Sequence, residues 1–147
     1  MNKKRVIFFI MMIAMMMLIF FFSSQNGEES SAMSSGVFLR LKENFNVNID
    51  IGVIRKLAHL TEYLFLGVSA ILYVGTFKNS DEKSMAIATA ICVLYAVSDE
   101  FHQYFIANRD GRFGDVLIDS TGAMLGITIT MLILLIMRRK NDKKITI

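Results

Sequence analysis

The chain has 147 residues, 54% of them hydrophobic, with 11 Met, 12 Phe and no Pro. That composition excludes an ordinary soluble domain and predicts a small integral membrane protein, a single membrane domain over residues 1–147. The formal charge of +3 does not point to a nucleic-acid partner, because the basic residues concentrate at the two ends of the chain, where orientation in a membrane explains them better.

Four apolar runs can be tested against a hydrocarbon thickness of ~30 Å at ~1.5 Å per helical residue. The first, Val6 to Phe22, is uninterrupted. Its flank MNKKR is also how a secretory signal peptide begins, but the run exceeds the usual apolar core and no A-x-A-like site follows Phe22, so an uncleaved anchor is expected. Ser23 to Gly36 (SSQNGEESSAMSSG) is polar and Ser-rich and reads as a loop. Val37, Phe38, Leu41 and Phe45 then predict a short amphipathic turn on the membrane surface, and Asn46 to Ile51 alternates too briefly for a strand.

The second span, Leu57 to Phe77, holds His59 and Glu62 in its first two turns, below the membrane surface. In the third, the purely apolar part from Met85 to Val97 gives only ~20 Å of helix, so it must continue through Ser98, Asp99, Glu100, Phe101, His102 and Gln103 toward Phe105. Phe113 to Met137 is the fourth, opening with Asp115 and Asp119 before becoming apolar. The one cysteine, Cys92, lies inside the third span; it excludes an intramolecular disulfide or a Cys-based zinc site and reads as a small core residue.

Lys and Arg favour cytoplasmic flanks. With the N-terminus inside, those flanks carry Lys3, Lys4, Arg5, Lys78, Lys83, Arg138, Arg139, Lys140, Lys143 and Lys144, against Arg40, Lys42, Arg55, Lys56, Arg109 and Arg112 outside. Both termini are therefore expected in the cytoplasm, and three polar clusters distant in sequence should meet at the outer face. Helical spacing makes each a stripe. Arg55, His59 and Glu62 form the first, with Lys56 and Tyr63 beside it; Tyr95, Asp99 and His102 the second, flanked by Glu100 and Gln103; Asp115, Asp119, Gly122 and Gly126 the third. Gly122 and Gly126, four apart, suit close helix packing rather than chemistry.

The segments FSSQ (Phe22 to Gln25), RKLAHLTEYLFLG (Arg55 to Gly67) and SDEFHQYFIANRDGRFGDVLIDSTGAMLG (Ser98 to Gly126) resemble the VanZ family, over most of the chain. The resemblance implies a multi-pass protein of a bacterial cell membrane. The name-giving member is associated with low-level resistance to teicoplanin, a lipoglycopeptide, and many relatives stand outside any resistance cluster.

Intramembrane ionisable groups are costly and mark a functional site by default. Three readings of the cluster follow. Arg55, Arg109 and Arg112 are suited to grip an anionic envelope lipid or a glycopeptide-related ligand, beyond the surrounding membrane lipids. His59 and His102, with some of Glu62, Asp99, Glu100, Asp115 and Asp119, could instead hold a divalent metal and activate water against a lipid-linked substrate, or act on it as metal-free acid and base, although no short zinc signature is present. The third is a buried network in which the charges pair among themselves and fix the helix packing. A proton or solute pathway is disfavoured because the inner halves of the spans lack polar groups.

Overall fold

A computed structural model of the chain describes residues 2–45, 50–109 and 111–145, with side chains described for all of these but Leu41, Phe45 and residues 142–145. All regular structure among the described residues is helical: α1 (Lys3–Ser23), α2 (Gly27–Phe45), α3 (Ile51–Val74), α4 (Asp81–Gln103) and α5 (Phe113–Ile145). Four of them, all but α2, are long and apolar enough to cross a membrane, as the hydropathy runs predict, and the chain is read as a multi-pass membrane protein. The brief alternation after Phe45 lies largely outside the described residues, as do Asp110 and the side chains of Lys143 and Lys144.

Helix α1 shows why composition alone identifies a span. Ile7, Ile10, Met17, Phe20 and Phe21 all point outward, while Met12, Ile19 and Ser23 face the bundle. A helix apolar on every side has no stable place in water. The longest helix, α5, has 33 residues, or roughly 50 Å, and so outruns the hydrocarbon layer.

α3 is the central element and packs against each of the other four helices. Lipid tails are as apolar as leucine, so contact must be gained by close fit rather than by escape from water. Small residues provide it. A Cβ on Gly122 would overlap the carbonyl oxygen of Leu60, one on Gly126 that of Leu64, and one on Gly67 that of Ala123. The two helices run in the same direction with their backbones nearly touching, which is the packing role expected of the glycine pair. α4 has its own small face, Ser84, Ala88, Cys92 and Ala96 at every fourth position, all buried. Cys92 is free and buried there.

The Ser-rich segment departs from the sequence reading. From Gly27 onward it is helical and continuous with the expected amphipathic turn, giving one helix of 19 residues. The cause is a reciprocal cap: Glu29 N donates to Asn26 Oδ1 at 2.9 Å, and Asn26 N donates to Glu29 Oε2 at 3.3 Å. Gly27, Ser30 and Ser34 then form a small face turned inward. Asn26→Ala should destabilise α2 by about 1 kcal/mol; hydrogen exchange read by mass spectrometry would then speed up across 27–36 and not in α3, whereas unchanged exchange there would refute the cap.

The span bounds also move. α3 begins six residues before Leu57 because Asp50 caps it, its Oδ1 accepting from Gly52 N at 2.7 Å. His59 and Glu62 therefore sit in its third and fourth turns rather than in its first two. α4 begins at Asp81, capped by Ser80, rather than at Met85. At this second end of the bundle Arg138 pairs with Asp81 at 2.8 Å, and Arg5 donates to Thr76 while stacking over Phe77.

Candidate functional site

The opposite end gathers the start of α3, the end of α4, the start of α5 and the last turn of α1, which is the convergence the polar stripes predict. At its centre is Asp99, 3% exposed. Its Oδ2 accepts from Ser23 Oγ at 2.8 Å and from Gln103 Nε2 at 3.1 Å. Gln103 Oε1 accepts from Arg109 Nη1 at 3.1 Å, and Arg109 Nη2 donates to the Phe22 carbonyl at the same distance. A chain of polar contacts thus ties α1, α4 and the loop after α4.

Arg109 is 8% exposed, and burial, followed by the like charge of Arg55, pulls its pKa down from the ordinary arginine value, while Asp99, Glu100 and Glu62 oppose that fall. Its guanidinium points into the protein with both terminal nitrogens engaged. Of the three arginines expected to grip a ligand, Arg109 is therefore a structural fork. The loop that carries it turns at Asn108, φ 58°, a backbone conformation that asparagine tolerates better than most side chains. The start of α2 docks on this loop, Gly27 N donating to the Ala107 carbonyl at 3.1 Å. Glu100, also buried, accepts from the backbone N–H of Arg112 at 2.9 Å and so anchors the far side of the loop.

From α3, His59 and Glu62 approach to 3.9 Å, an ion-pair distance too long for a hydrogen bond. Lys56 and Asp115 pair at 3.8 Å on the rim. Tyr63 is fully buried with its ring near that of Tyr95, and its hydroxyl lies beside Asp99 without reaching hydrogen-bond geometry. His102 does not join the centre: its ring stacks on Phe20, and its Nε2 lies 3.3 Å from Ser24 Oγ against α1. It shares a helix with Asp99 but faces a different neighbour.

Asp119 enters from α5 at 1% exposure, and neither of its oxygens has a hydrogen-bond partner among the described residues. Asp99 Oδ1 and His59 Nδ1 are likewise buried and unpartnered. His59, Asp99 and Asp119 each bring a ligand-type atom within 4.8 Å of the other two. Among the described residues they are the group of metal-ligand-type side chains that comes this close together; Glu62, Glu100, His102 and Asp115, equally eligible by sequence, are not part of it.

Above this centre a cavity of about 180 Å³ opens between α2 and α3. Phe22, Met33, Val37 and Ile54 make its apolar walls, while Arg55, His59, Glu62 and Arg109 supply its polar side. Arg55 has no hydrogen bond or ion pair among the described residues. Ser23 and the covering face of α2, Ser30 and Ser34, are site elements that sequence reasoning missed; the N-x-x-E pattern at Asn26 to Glu29 was the signal for the second.

Comparison with curated proteins gave no match, and comparison with solved structures gave none either. A family model described as VanZ/LLP1 matches residues 8–135, a stretch that runs from the second turn of α1 well into α5 and contains every residue of the polar centre. The chain belongs to the VanZ/LLP1 family.

Proposed function

We propose that this protein is a bacterial envelope membrane protein whose polar end faces outward, with both termini in the cytoplasm, and that it holds the anionic headgroup of a surface lipid in the cavity between α2 and α3. By withdrawing or altering that lipid it lowers susceptibility to lipoglycopeptides such as teicoplanin. The observation that carries this reading is Arg55, a cation without a partner among the described residues, on a cavity walled by Phe22, Met33, Val37 and Ile54 on one side and by His59, Glu62 and Arg109 on the other. A planar guanidinium suits bidentate oxygen groups such as phosphate.

Size selects among ligands. Pockets for drug-sized molecules run from about 300 Å³ upward. A cavity of about 180 Å³ fits a headgroup and is too small to enclose a glycopeptide. Met33 and Val37 of α2 lie where an acyl chain would leave the headgroup, so the two halves of an amphiphile have matching surfaces.

Teicoplanin and vancomycin susceptibility in a strain lacking the protein, complemented with wild type or Arg55→Gln, tests this directly, with membrane levels followed by immunoblot. Wild type should raise teicoplanin tolerance and leave vancomycin unaffected. Arg55→Gln, present at normal level, should lose the effect, because a charge-assisted contact contributes ~1.5–3 kcal/mol, or tenfold or more in occupancy. Equal susceptibility of all strains would sink the resistance reading, and full activity of Arg55→Gln would sink the headgroup reading.

A further inference from the structure

We propose that His59, Asp99 and Asp119 form a divalent-cation site, and that zinc is the ion it takes. The site shares His59 with the lining of the headgroup cavity, but its standing does not depend on that reading.

Three observations converge on it. The first is distance: three atoms no more than 4.8 Å apart all lie within about 2.8 Å of a common centre, so side-chain adjustments of under an ångström reach zinc's ~2.0–2.2 Å bonds to nitrogen and oxygen. The second is unmet bonding capacity. Both oxygens of Asp119, Oδ1 of Asp99 and Nδ1 of His59 are buried without partners. While both acids are ionised they only accept, so they cannot satisfy one another, and the nearby Tyr63 hydroxyl can serve only one of the orphaned atoms.

The third is orientation. Ser23 and Gln103 both donate to Oδ2 of Asp99, leaving Oδ1 as the free oxygen, and Arg109 in turn holds Gln103. Outer partners of this kind fix a metal-binding carboxylate before the ion arrives. One imidazole and two carboxylates also balance a doubly charged cation, and their nitrogen and oxygen donors suit zinc. Three protein ligands leave a fourth position for water or for an oxygen of a bound molecule.

The full chain, purified in detergent with a tag free of histidine and stripped with a chelator, would be titrated with Zn²⁺ and, in parallel, with Co²⁺ followed by its visible absorption. Wild type should take up one zinc per chain, and Co²⁺ should give the intense bands of a four-coordinate ion. Asp119→Asn and His59→Gln should each weaken uptake by more than about tenfold, since even outer-shell changes reach that size. Asp115→Asn, on the rim and paired with Lys56, should bind as wild type does. Wild type without stoichiometric zinc, or variants that bind as tightly as wild type, would overturn the site. Should the two ligand variants not be recovered folded, the wild-type cobalt spectrum decides: absence of four-coordinate bands overturns the proposal. Metal uptake by a protein whose Arg55→Gln variant retains full activity would separate this site from the headgroup reading.

Discussion

Gly126→Val is expected to remove most of the folded protein from the membrane. A Cβ at this position already overlaps the Leu64 carbonyl oxygen and crowds the Val68 amide nitrogen, atoms of a helix backbone that no rotamer change can move. Ordinary overpacking costs about 1–3 kcal/mol because side chains give way. Here α5 must move off α3 as a whole, which also breaks the close approaches at Gly122 and Gly67, and the loss should exceed that range. In a bilayer no hydrophobic force compensates, since the separated surfaces are received by lipid. Membrane abundance and thermal melting in detergent check this against Gly36→Ala, where an added methyl meets nothing within 4 Å. That control should be neutral or stabilising by about 0.5–1 kcal/mol, as expected for alanine over glycine in a helix. A valine variant as abundant and as stable as the control would show that the α3–α5 contact does not hold the bundle together.

Arg109→Met should be the most damaging change in the polar region. It removes a buried fork that reaches Gln103 and the Phe22 carbonyl together, leaving the Gln103 oxygen and the backbone carbonyl without their donor. Leaving a buried acceptor without its donor costs about 1–3 kcal/mol for each group. Lysine is not a substitute, because its single ammonium on a flexible stem does not reproduce the planar fork. The loop from Tyr104 to Arg112 should then lose its order, and the start of α2 with it. Melting temperature in detergent and protease sensitivity of that loop give the readout. Pairing the change with Gln103→Leu isolates the mutual term: the double variant should be less destabilised than the sum of the two single changes. Strict additivity would mean that the contact contributes nothing.

Much of the architecture was legible in the sequence because lipid imposes a simple demand, ~20 apolar residues per crossing. The same arithmetic showed that α4 had to run on through Asp99 and His102. Spacing by three and four likewise placed Asp115, Asp119, Gly122 and Gly126 on one face, and that face is the one turned to α3. Two things could not be read so. Composition misled at Ser23 to Gly36, where serines suggest a loop but the Asn26–Glu29 cap and a small inward face make a helix. Rotation about each helix axis was also hidden. His102 lies only three residues from Asp99, yet that angular step turns it to Phe20 and Ser24 of α1 instead of to the centre. Ser23 meets Asp99 across 76 positions of sequence, a contact fixed by how α1 leans on α4 and by nothing in either segment alone.

Below the polar centre the bundle is filled by Leu66, Ala70, Ile71, Ala88, Cys92, Ile127 and Met131. The buried hydroxyls described there turn back on their own helices, Ser69 to the Leu66 carbonyl and Thr130 to the Gly126 carbonyl. This apolar plug separates the polar centre from the other end of the bundle, and a charged group passing through it would meet no polar side chain free to receive it. If the proposed headgroup binds, exchange is expected to run through the polar end alone, so occupancy would follow the concentration of that lipid on one side only.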